Sequence, residues 1–446
     1  MRAATIAVDL RVPRLHPGPG GRPRLPVENP RRRSVSSRME RSAVATAEPN
    51  SRHTAAEAAV LPVLLGLSLS HLLNDMIQAV LPAIYPLLKE TYALSFTQIG
   101  LITLAFQATG SILQPAVGFT TDRHPRPYSL AVGMGVTLVG LVLLAHAATF
   151  PLLLAAAALV GTGSAVFHPE ASRLARLASG GRHGFAQSVF QVGGNLGTAL
   201  GPLLAAAVIV PTGQRGALWF TLLALGGIVV LARLGGWYRA HLDARRARRA
   251  ATPPAAPLPR RQVITTLALL GTLIFSKHFY LASLTSYYTF FLIEKFGYSV
   301  RAAQLRLFVF LFAVAAGTIL GGPLGDRFGR KRVIWFSILG VAPFTLALPH
   351  ANAFWTVALT IPIGLILASA FPAILVYGQE LLPGKVGLVA GLFFGFAFGI
   401  AAVGAALLGR LADHAGIFAV YQICGFLPLI GLVAAFLPDL RRPRAT

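Results

Sequence analysis

Gly322-Pro-Leu-Gly-Asp326-Arg327-Phe-Gly329-Arg330-Lys331-Arg332 is the stretch that decides the fold, and it joins two long apolar runs. Its glycines, its proline and its cluster of charges are typical of a tight turn at a membrane surface. A weaker copy, Gly118-Phe-Thr-Thr-Asp122-Arg123-His-Pro-Arg126, lies about 200 positions earlier in the chain. In both copies an Asp follows a Gly by four positions, and an Arg comes next. Such a repeat indicates a chain of two related halves, an arrangement common among membrane carriers.

The composition indicates an integral membrane protein. Of the 446 residues, 55% are hydrophobic and only 12% are charged, and the mean hydropathy is +0.66. Soluble domains carry roughly 25% charged residues. The formal charge of +24 would suit nucleic acid, but the basic residues cluster between apolar runs, which favours a membrane topology signal. The single cysteine, Cys424, excludes a disulfide framework and a cysteine metal site.

Residues 1–59 differ in composition from the rest of the chain. They are rich in Arg, Pro and Gly and have no periodic apolar pattern, so we expect a disordered basic tail. The tail either lies against anionic lipid or is an unstructured extension, and Met39 offers a later start site. No signal-like apolar core follows Arg31-Arg32-Arg33, which argues against a cleaved export signal.

Twelve apolar runs follow, each near the roughly 20 residues that a helix needs to cross hydrocarbon. The predicted helices are 60–88, 97–120, 127–147, 151–176, 184–210, 215–238, 263–292, 303–324, 331–349, 353–378, 386–409 and 416–437. The polar segment 241–262 is a predicted linker between one six-helix bundle, 60–240, and another, 263–438, and residues 439–446 form a short tail. The sequence therefore predicts an all-α membrane protein of twelve transmembrane helices in two pseudo-symmetric bundles.

The distribution of positive charge predicts the orientation in the membrane. Most of the 39 Lys and Arg fall on the side that holds the amino-terminal tail, the linker and both repeated turns. Because basic loops stay in the cytoplasm, we expect both termini and both turns to be cytoplasmic.

The predicted helix at 60–88 carries a polar stripe. His71, Asn74, Asp75 and Gln78 stand at i, i+3, i+4 and i+7, so they share one face. A carboxylate within hydrocarbon is costly and is tolerated where it faces protein or water. One interpretation makes Asp75 a proton carrier with His71 as its relay; the other is a packing network that ties this helix to its neighbours. Asn74 and Gln78 are candidate solute contacts.

Amide side chains mark two further helices. Gln107 lies in the predicted helix at 97–120, and Gln187, Gln191 and Asn195 recur at i+4 steps in the helix at 184–210. These amides either hydrogen-bond a polar solute or bond across helices.

A group of polar residues ends the predicted helix at 151–176. His168 precedes Pro169, which should kink the helix, and Glu170 and Arg173 stand at i+3, where they can pair. The alternatives for the pair are a gate or coupling role, with Glu170 as a second candidate proton carrier, and an ordinary ion pair. His168 and Arg173 are also candidate solute contacts.

The predicted helix at 263–292 contains a deeply placed cation. Lys277 lies beside His278, and Tyr280 follows three positions later. A lysine this far from the helix ends should face a wet cavity, where its charge favours an anionic solute. The alternative is a counter-ion to an acid such as Asp75. All three residues are candidate solute contacts.

The repeated turns are candidate gating segments. Asp326 can accept hydrogen bonds from the backbone at the N-terminus of a neighbouring helix, and the basic residues can reach lipid phosphate or another helix. The predicted gating residues are Gly118, Asp122, Arg123, Arg126, Gly322, Asp326, Arg327, Gly329, Arg330 and Lys331. No phosphate-binding loop, zinc-peptidase motif or nucleophile elbow occurs in the sequence, so we expect no enzymatic activity, cofactor or metal.

These motifs resemble those of the major facilitator superfamily. Gly322 to Lys331 is similar to its loop signature, and 118–127 resembles the first-half counterpart, with Pro125 and Pro127 in place of a glycine and a basic residue. The run Gly197-Thr-Ala-Leu-Gly201-Pro202 resembles the helix 5 signature of proton-linked exporters, although Ala205-Ala206 stand where two glycines are usual.

Four further stretches resemble a branch of this superfamily that exports a small phosphonate drug. They are Ser70-His-Leu-Leu-Asn-Asp-Met-Ile-Gln78, Phe167-His-Pro-Glu-Ala-Ser-Arg173, Ala186-Gln-Ser-Val-Phe-Gln-Val-Gly-Gly-Asn195 and Phe275-Ser-Lys-His-Phe-Tyr280. The resemblance covers residues 60–440. It implies proton-driven export by alternating access across a bacterial inner membrane. We also expect a monomer that contacts lipid and binds no nucleic acid. An importer of an anionic metabolite is the first rival; a non-transporting receptor, which should carry an extra folded domain, is the second.

Overall fold

The computed structural model describes residues 59–247 and 259–439, in which all regular structure is helical. The α-helices are α1 (Leu61–Gln78), α2 (Val80–Thr91), α3 (Phe96–Arg123), α4 (Ser129–His146), α5 (Phe150–Leu177), α6 (His183–Thr212), α7 (Trp219–Ala247), α8 (Arg260–Phe296), α9 (Val300–Phe328), α10 (Arg330–Leu339), α11 (Ala342–Ala347), α12 (Ala353–Ala368), α13 (Ala370–Leu381) and α14 (Val386–Cys424). Three 3-10 segments, Gln214–Leu218, Leu348–His350 and Leu427–Phe436, lie between or after them. Almost all of the predicted basic tail, half of the linker and the last seven residues lie outside the described residues.

Local sequence signals set several helix ends. α3 begins at a capping box, in which the Ser95 nitrogen donates to Gln98 Oε1 over 2.9 Å and the Gln98 nitrogen donates to Ser95 Oγ over 3.2 Å. α8 ends at Gly297 with φ +67°, a left-handed conformation that glycine adopts at no steric cost. Within α14, Gly416 has φ +81° and interrupts the helix between the predicted segments 386–409 and 416–437.

The described helices suit a membrane protein. Nine spans are long and apolar enough to cross a bilayer, among the residues that the structure describes. α3 and α6, of 28 and 30 residues, are not among the nine, and the last of them, Val386–Phe436, includes the interruption at Gly416. The all-α class is thus observed, and the count of twelve crossings stays a prediction.

Within the first half, α6 lies against the polar stripe of α1. A Cβ added to Gly194 would meet the His71 ring at 2.4 Å, and one added to Gly197 would meet the Leu72 carbonyl oxygen at 2.4 Å. A Cβ added to Gly201 would meet the Ala79 Cβ at 2.5 Å, so Gly197 and Gly201 form a packing seam in which glycine permits the close approach.

The two halves of the chain meet along two seams, α3 against α14 and α6 against α9. A Cβ on Gly118 would lie 2.0 Å from the Gly387 carbonyl oxygen, and one on Gly322 would lie 1.9 Å from that of Gly184. Gly395 also packs tightly on α3, whereas a Cβ on Gly399 would meet nothing within 4 Å. The halves are therefore closed beside the two repeated turns, here called the turn face.

Candidate solute cavity and Asp75 cluster

A cavity of about 220 Å³ lies between the halves, beyond the closed seams. Helices α1, α6, α8, α9 and α14 supply most of its wall. Its polar wall residues are His71, Asp75, Gln191, Asn195, Thr198, Lys277, His278, Thr285 and Thr318. Phe371, Phe394 and Phe398 form an aromatic part of the wall. Residues from both halves of the chain thus border one cavity, whose mostly apolar wall carries several polar side chains.

Three nitrogen groups at this cavity have no polar partner among the described residues. Lys277 is 5% exposed, and its Nζ lies 4.9 Å from the centre of the Phe371 ring, with no described carboxylate within 4.0 Å. Nε2 of Gln191 and Nε2 of His278 are buried without a hydrogen bond. Because buried donors are normally paired, the Lys277 and Gln191 nitrogens lack an acceptor that an anion would supply. His278 Nε2 adds a third donor in the tautomer that carries a hydrogen there.

Asp75 lies at the centre of a second group of side chains. The amides of Asn74 and Gln78 donate to its Oδ1 over 3.0 and 3.1 Å. His71 Nε2 lies 3.4 Å from Oδ2, and His168 Nε2 lies 3.6 Å from Oδ1. We call His71, Asp75 and His168 the Asp75 cluster.

Backbone carbonyls fix the orientation of both imidazoles in this cluster. His71 Nδ1 lies 2.9 Å from the carbonyl oxygen of Phe190, and His168 Nδ1 lies 3.0 Å from that of Ser164. A carbonyl oxygen only accepts, so each Nδ1 carries a hydrogen and donates it. Each Nε2 is therefore turned towards the carboxylate.

The Asp75 cluster also has the composition of a possible cation site. Its three ligand atoms lie within 4.8 Å of one another. However, two amide groups already donate to Oδ1 of Asp75, and such donors stabilise an ionised carboxylate without a metal. We therefore interpret the cluster as a proton-binding group, and the expectation of no metal stays a prediction.

Two predicted site residues form an ion pair away from the cavity. Glu170 is 1% exposed, and its Oε2 accepts a hydrogen bond from Arg173 Nε over 2.9 Å. Arg173 also donates to the Tyr238 hydroxyl. The two side chains form an ion pair, as one of the two interpretations expects, and neither borders the cavity. Glu170 as a proton carrier and Arg173 as a solute contact stay predictions.

Six other predicted solute contacts are not among the residues that line the cavity, and their role stays a prediction: Asn74, Gln78, Gln107, His168, Gln187 and Tyr280. His168 is 0% exposed and belongs to the Asp75 cluster. Gln187 bonds the hydroxyl and the carbonyl of Ser172, and Tyr280 is buried in the apolar core of the second half. Gln107 is half-buried and does not reach the cavity. Sequence periodicity shows which residues share a helix face but not which neighbouring helix covers that face.

A hydrogen bond between the halves crosses the cavity wall. Asn195 Nδ2 donates to Thr318 Oγ1 over 2.7 Å, and the Thr318 hydroxyl donates to the Val314 carbonyl. One hydrogen of the Asn195 amide nitrogen, a predicted solute contact, is thus donated to Thr318 in this state. The sequence does not predict the contact of Thr318, because a single Thr in an apolar run is a weak signal.

Each repeated turn holds the start of a helix from the other half. Asp326 accepts hydrogen bonds from the backbone nitrogens of Gly184 and Phe185 over 3.0 and 2.9 Å. Asp122 accepts from those of Gly387 and Leu388 over 2.8 and 2.9 Å. Both carboxylates face the positive end of a helix dipole, which stabilises the contact. We call these two contacts the Asp326 latch and the Asp122 latch.

The two latches differ in their basic residues. Arg330 contacts Asp326 over 2.9 Å and Glu380 over 3.1 Å. The corresponding residue of the first turn, Arg126, is exposed. Gly329, before Arg330, has φ +97°, whereas Pro125, before Arg126, is restricted to negative φ. The backbone before Arg126 therefore cannot adopt the positive φ that Gly329 has before Arg330.

The sequence was compared with the profiles of known protein families, and the result agrees with the fold and the two latches. The family profile described as Major Facilitator Superfamily matches residues 67–305 and 278–446. The chain belongs to the major facilitator superfamily. As a member of that superfamily, it is a helical membrane transporter of small molecules.

Two bacterial proteins are similar to this chain over most of their length. It is 62% identical over 379 residues to the fosmidomycin resistance protein of Escherichia coli (strain K12), which covers 85% of this chain and 93% of the relative. It is 40% identical over 387 residues to the uncharacterized MFS-type transporter YfnC of Bacillus subtilis (strain 168), with 86% and 95% covered.

Solved structures of the superfamily share the fold. The transporter FucP in the outward conformation matches with a TM-score of 0.64 and 14% identity, over 85% of this chain and 99% of that one. The human organic anion transporter MFSD10 (TETRAN) matches with a TM-score of 0.66 and 18% identity, over 84% and 98%. At these identities the likeness shows the fold alone.

Proposed function

We propose that this transporter exports small anions of the phosphonate class, such as fosmidomycin, across a bacterial inner membrane in exchange for protons. The observation that carries the proposal is the set of unpaired nitrogens of Lys277, His278 and Gln191 at the cavity. A phosphonate offers three oxygens, which accept hydrogen bonds from such donors. The similarity to a fosmidomycin resistance protein supports export as the direction and a phosphonate as the solute.

The cavity suits a small solute. Its volume is about 220 Å³. Pockets for drug-sized ligands usually begin at about 300 Å³. The transporter should therefore favour compact anions over large amphiphilic drugs.

The latches support a proposed state in the transport cycle. The excess of basic residues beside the turn face argues that this face is cytoplasmic, with both termini on the same side. Because both latches are closed, the structure then corresponds to a state shut towards the cytoplasm. Loading of solute from the cytoplasm requires Asp122 and Asp326 to release the helix starts that they hold.

Proton coupling is proposed to act through α6, and not through direct competition between the proton and the solute for one binding site. An anion and a proton attract each other, so electrostatics within one cavity would favour binding of both. However, His71 of the Asp75 cluster donates to the Phe190 carbonyl of α6, and the first amides of α6 are held by Asp326. A change of protonation at Asp75 can thus alter the position of α6 and, with it, the stability of the Asp326 latch.

Transport into everted membrane vesicles tests the proposal. Vesicles that contain this protein should accumulate fosmidomycin when their interior is acidified, and vesicles without it should not. Collapse of the proton gradient with an uncoupler should abolish accumulation. Fosmidomycin extruded from the everted vesicles under the same gradient would instead indicate a proton-coupled importer and would overturn the proposed direction.

A further inference from the structure

We infer that His168 is a proton-binding residue and that the Asp75 cluster accommodates two exchangeable protons, one between each imidazole and the carboxylate. The inference deepens the proposed function, because it rests on this cluster being the site of proton coupling. It also assigns to His168 a role that its sequence position, beside Pro169 and Glu170, did not indicate.

The hydrogen-bond donors next to the cluster already donate to acceptors other than the two Nε2 atoms. Ser164 Oγ donates to Gln78 Oε1 over 3.0 Å, so its oxygen is left to accept from His168 Nδ1 at 3.3 Å. Gln78 Nε2 in turn donates to Asp75 Oδ1. No donor in this network points at either Nε2, and Nε2 of His168 is buried without a hydrogen bond among the described residues.

Neutral imidazoles would therefore face the carboxylate unfavourably. With hydrogen on Nδ1, each Nε2 presents a lone pair to a negatively charged oxygen, at 3.4 Å for His71 and 3.6 Å for His168. A proton on one Nε2 relieves one contact and leaves the other repulsive. A proton on both turns both contacts into charge-assisted hydrogen bonds, which are the stronger kind.

The surroundings provide few other sites for a second proton. His71 stacks on the Phe190 ring at 4.2 Å, and His168 meets the Phe398 ring edge-on at 4.9 Å. The other ionisable groups at the cavity are Lys277 and His278 of α8. On α5, Glu170 is engaged by Arg173, and α14 presents phenylalanine rings to His168. Asp75 is the only carboxylate among the described residues that line the cavity.

The proton-to-solute ratio tests this inference in proteoliposomes. It is obtained from the proton gradient that just balances an imposed fosmidomycin gradient. We expect a ratio of two for the unaltered protein and of one for His168→Gln, since a glutamine amide donates near the Nε2 position but does not titrate. His146→Gln is the matched control, because His146 makes the same i−4 contact, to the Val142 carbonyl over 2.9 Å, but is exposed. Its ratio should stay at two.

Counterflow and proton uptake separate the possible failures. Fosmidomycin counterflow, which needs no net proton movement, should persist in His168→Gln and shows that the variant is folded. Purified protein should take up about one proton fewer in His168→Gln than in the unaltered protein between pH 8 and pH 5. In the Asp75→Asn background the same substitution should change nothing, because no carboxylate remains to hold the second proton.

Each outcome decides the inference. A ratio of one in the unaltered protein, or an unchanged ratio and unchanged proton uptake in His168→Gln, would overturn it. Absence of counterflow in the unaltered protein would instead reject fosmidomycin as a solute, and the proton uptake of the purified protein would then decide the inference alone.

Discussion

Asp326 Oδ1 lies 3.0 Å from the backbone nitrogen of Gly184, so a carboxylate of the second half seals the first turn of a helix of the first half. The Asp122 latch makes the same contact in the opposite sense. The repeat in the sequence thus corresponds to a repeat in the contacts that close the turn face. Alternating access requires these contacts to break and re-form in every cycle.

Asp326→Asn should shift the protein towards a state open at the turn face. A hydrogen bond to a charged group contributes about 1.5–3 kcal/mol, and the neutral amide loses part of two such bonds. Spin labels at Arg182 and Arg327, which are exposed on opposite sides of the seam, report the separation of the halves. We expect a new population at longer distance. Asp413→Asn, an exposed residue outside both latches, is the control, and equal distance distributions in all three proteins would contradict the latch role.

Gly322→Ala should block closure of the turn face without unfolding the protein. Its Cβ would lie 1.9 Å from the Gly184 carbonyl oxygen, a clash that separation of the halves relieves. We expect loss of fosmidomycin export, with normal amounts of folded protein in the membrane. Gly100→Ala is the matched control, because a Cβ there meets nothing within 4 Å. Export at the normal rate by Gly322→Ala would show that this close approach is not needed for the cycle.

Asp75→Asn should remove the pH dependence of transport. The carboxylate is the charged acceptor that Nε2 of His71 and Nε2 of His168 face, and an amide carries no such charge. Export measured from pH 5.5 to pH 8.5 should become nearly constant. An unchanged pH profile would dismiss Asp75 as the proton carrier.

Glu170→Gln should act on stability rather than on the pH profile. It leaves the buried Arg173 without its counter-charge, and breaking a buried pair typically costs 3–5 kcal/mol. We expect a lower midpoint of thermal unfolding and a retained pH dependence. A flattened pH profile at normal stability would instead indicate that Glu170 carries the transported proton.

The sequence predicted the features that local chemistry determines. The repeated Gly and Asp of the two turns identified the latch residues, and the spacing from His71 to Gln78 placed one polar face on α1. Lys277, deep in an apolar run, pointed to a cavity, and it does line one.

The assignment of partners could not be predicted in the same way. His168 and Gln187 are polar residues of the kind expected at a solute site, but their partners come from other helices, and only tertiary packing brings those helices together. Thr318 bonds Asn195, and the Phe190 carbonyl accepts from His71, at positions that carry a weak polar signal or none in the sequence. Helix periodicity gives the direction of a side chain around its own axis and no information about the identity of the neighbouring helix.

The binding of fosmidomycin to purified protein by isothermal titration calorimetry, with and without Lys277→Gln, tests the central claim most directly. The unpaired ammonium at the cavity is the proposed partner of the anionic group, so the substitution should weaken binding at least tenfold, which corresponds to about 1.4 kcal/mol. Lys295→Gln is the control, since Lys295 lies near the end of the same helix and donates to the carbonyls of Pro349 and Ala351. Lys295→Gln should leave the dissociation constant unchanged. Equal dissociation constants for Lys277→Gln and the unaltered protein would contradict an anion site at this cavity.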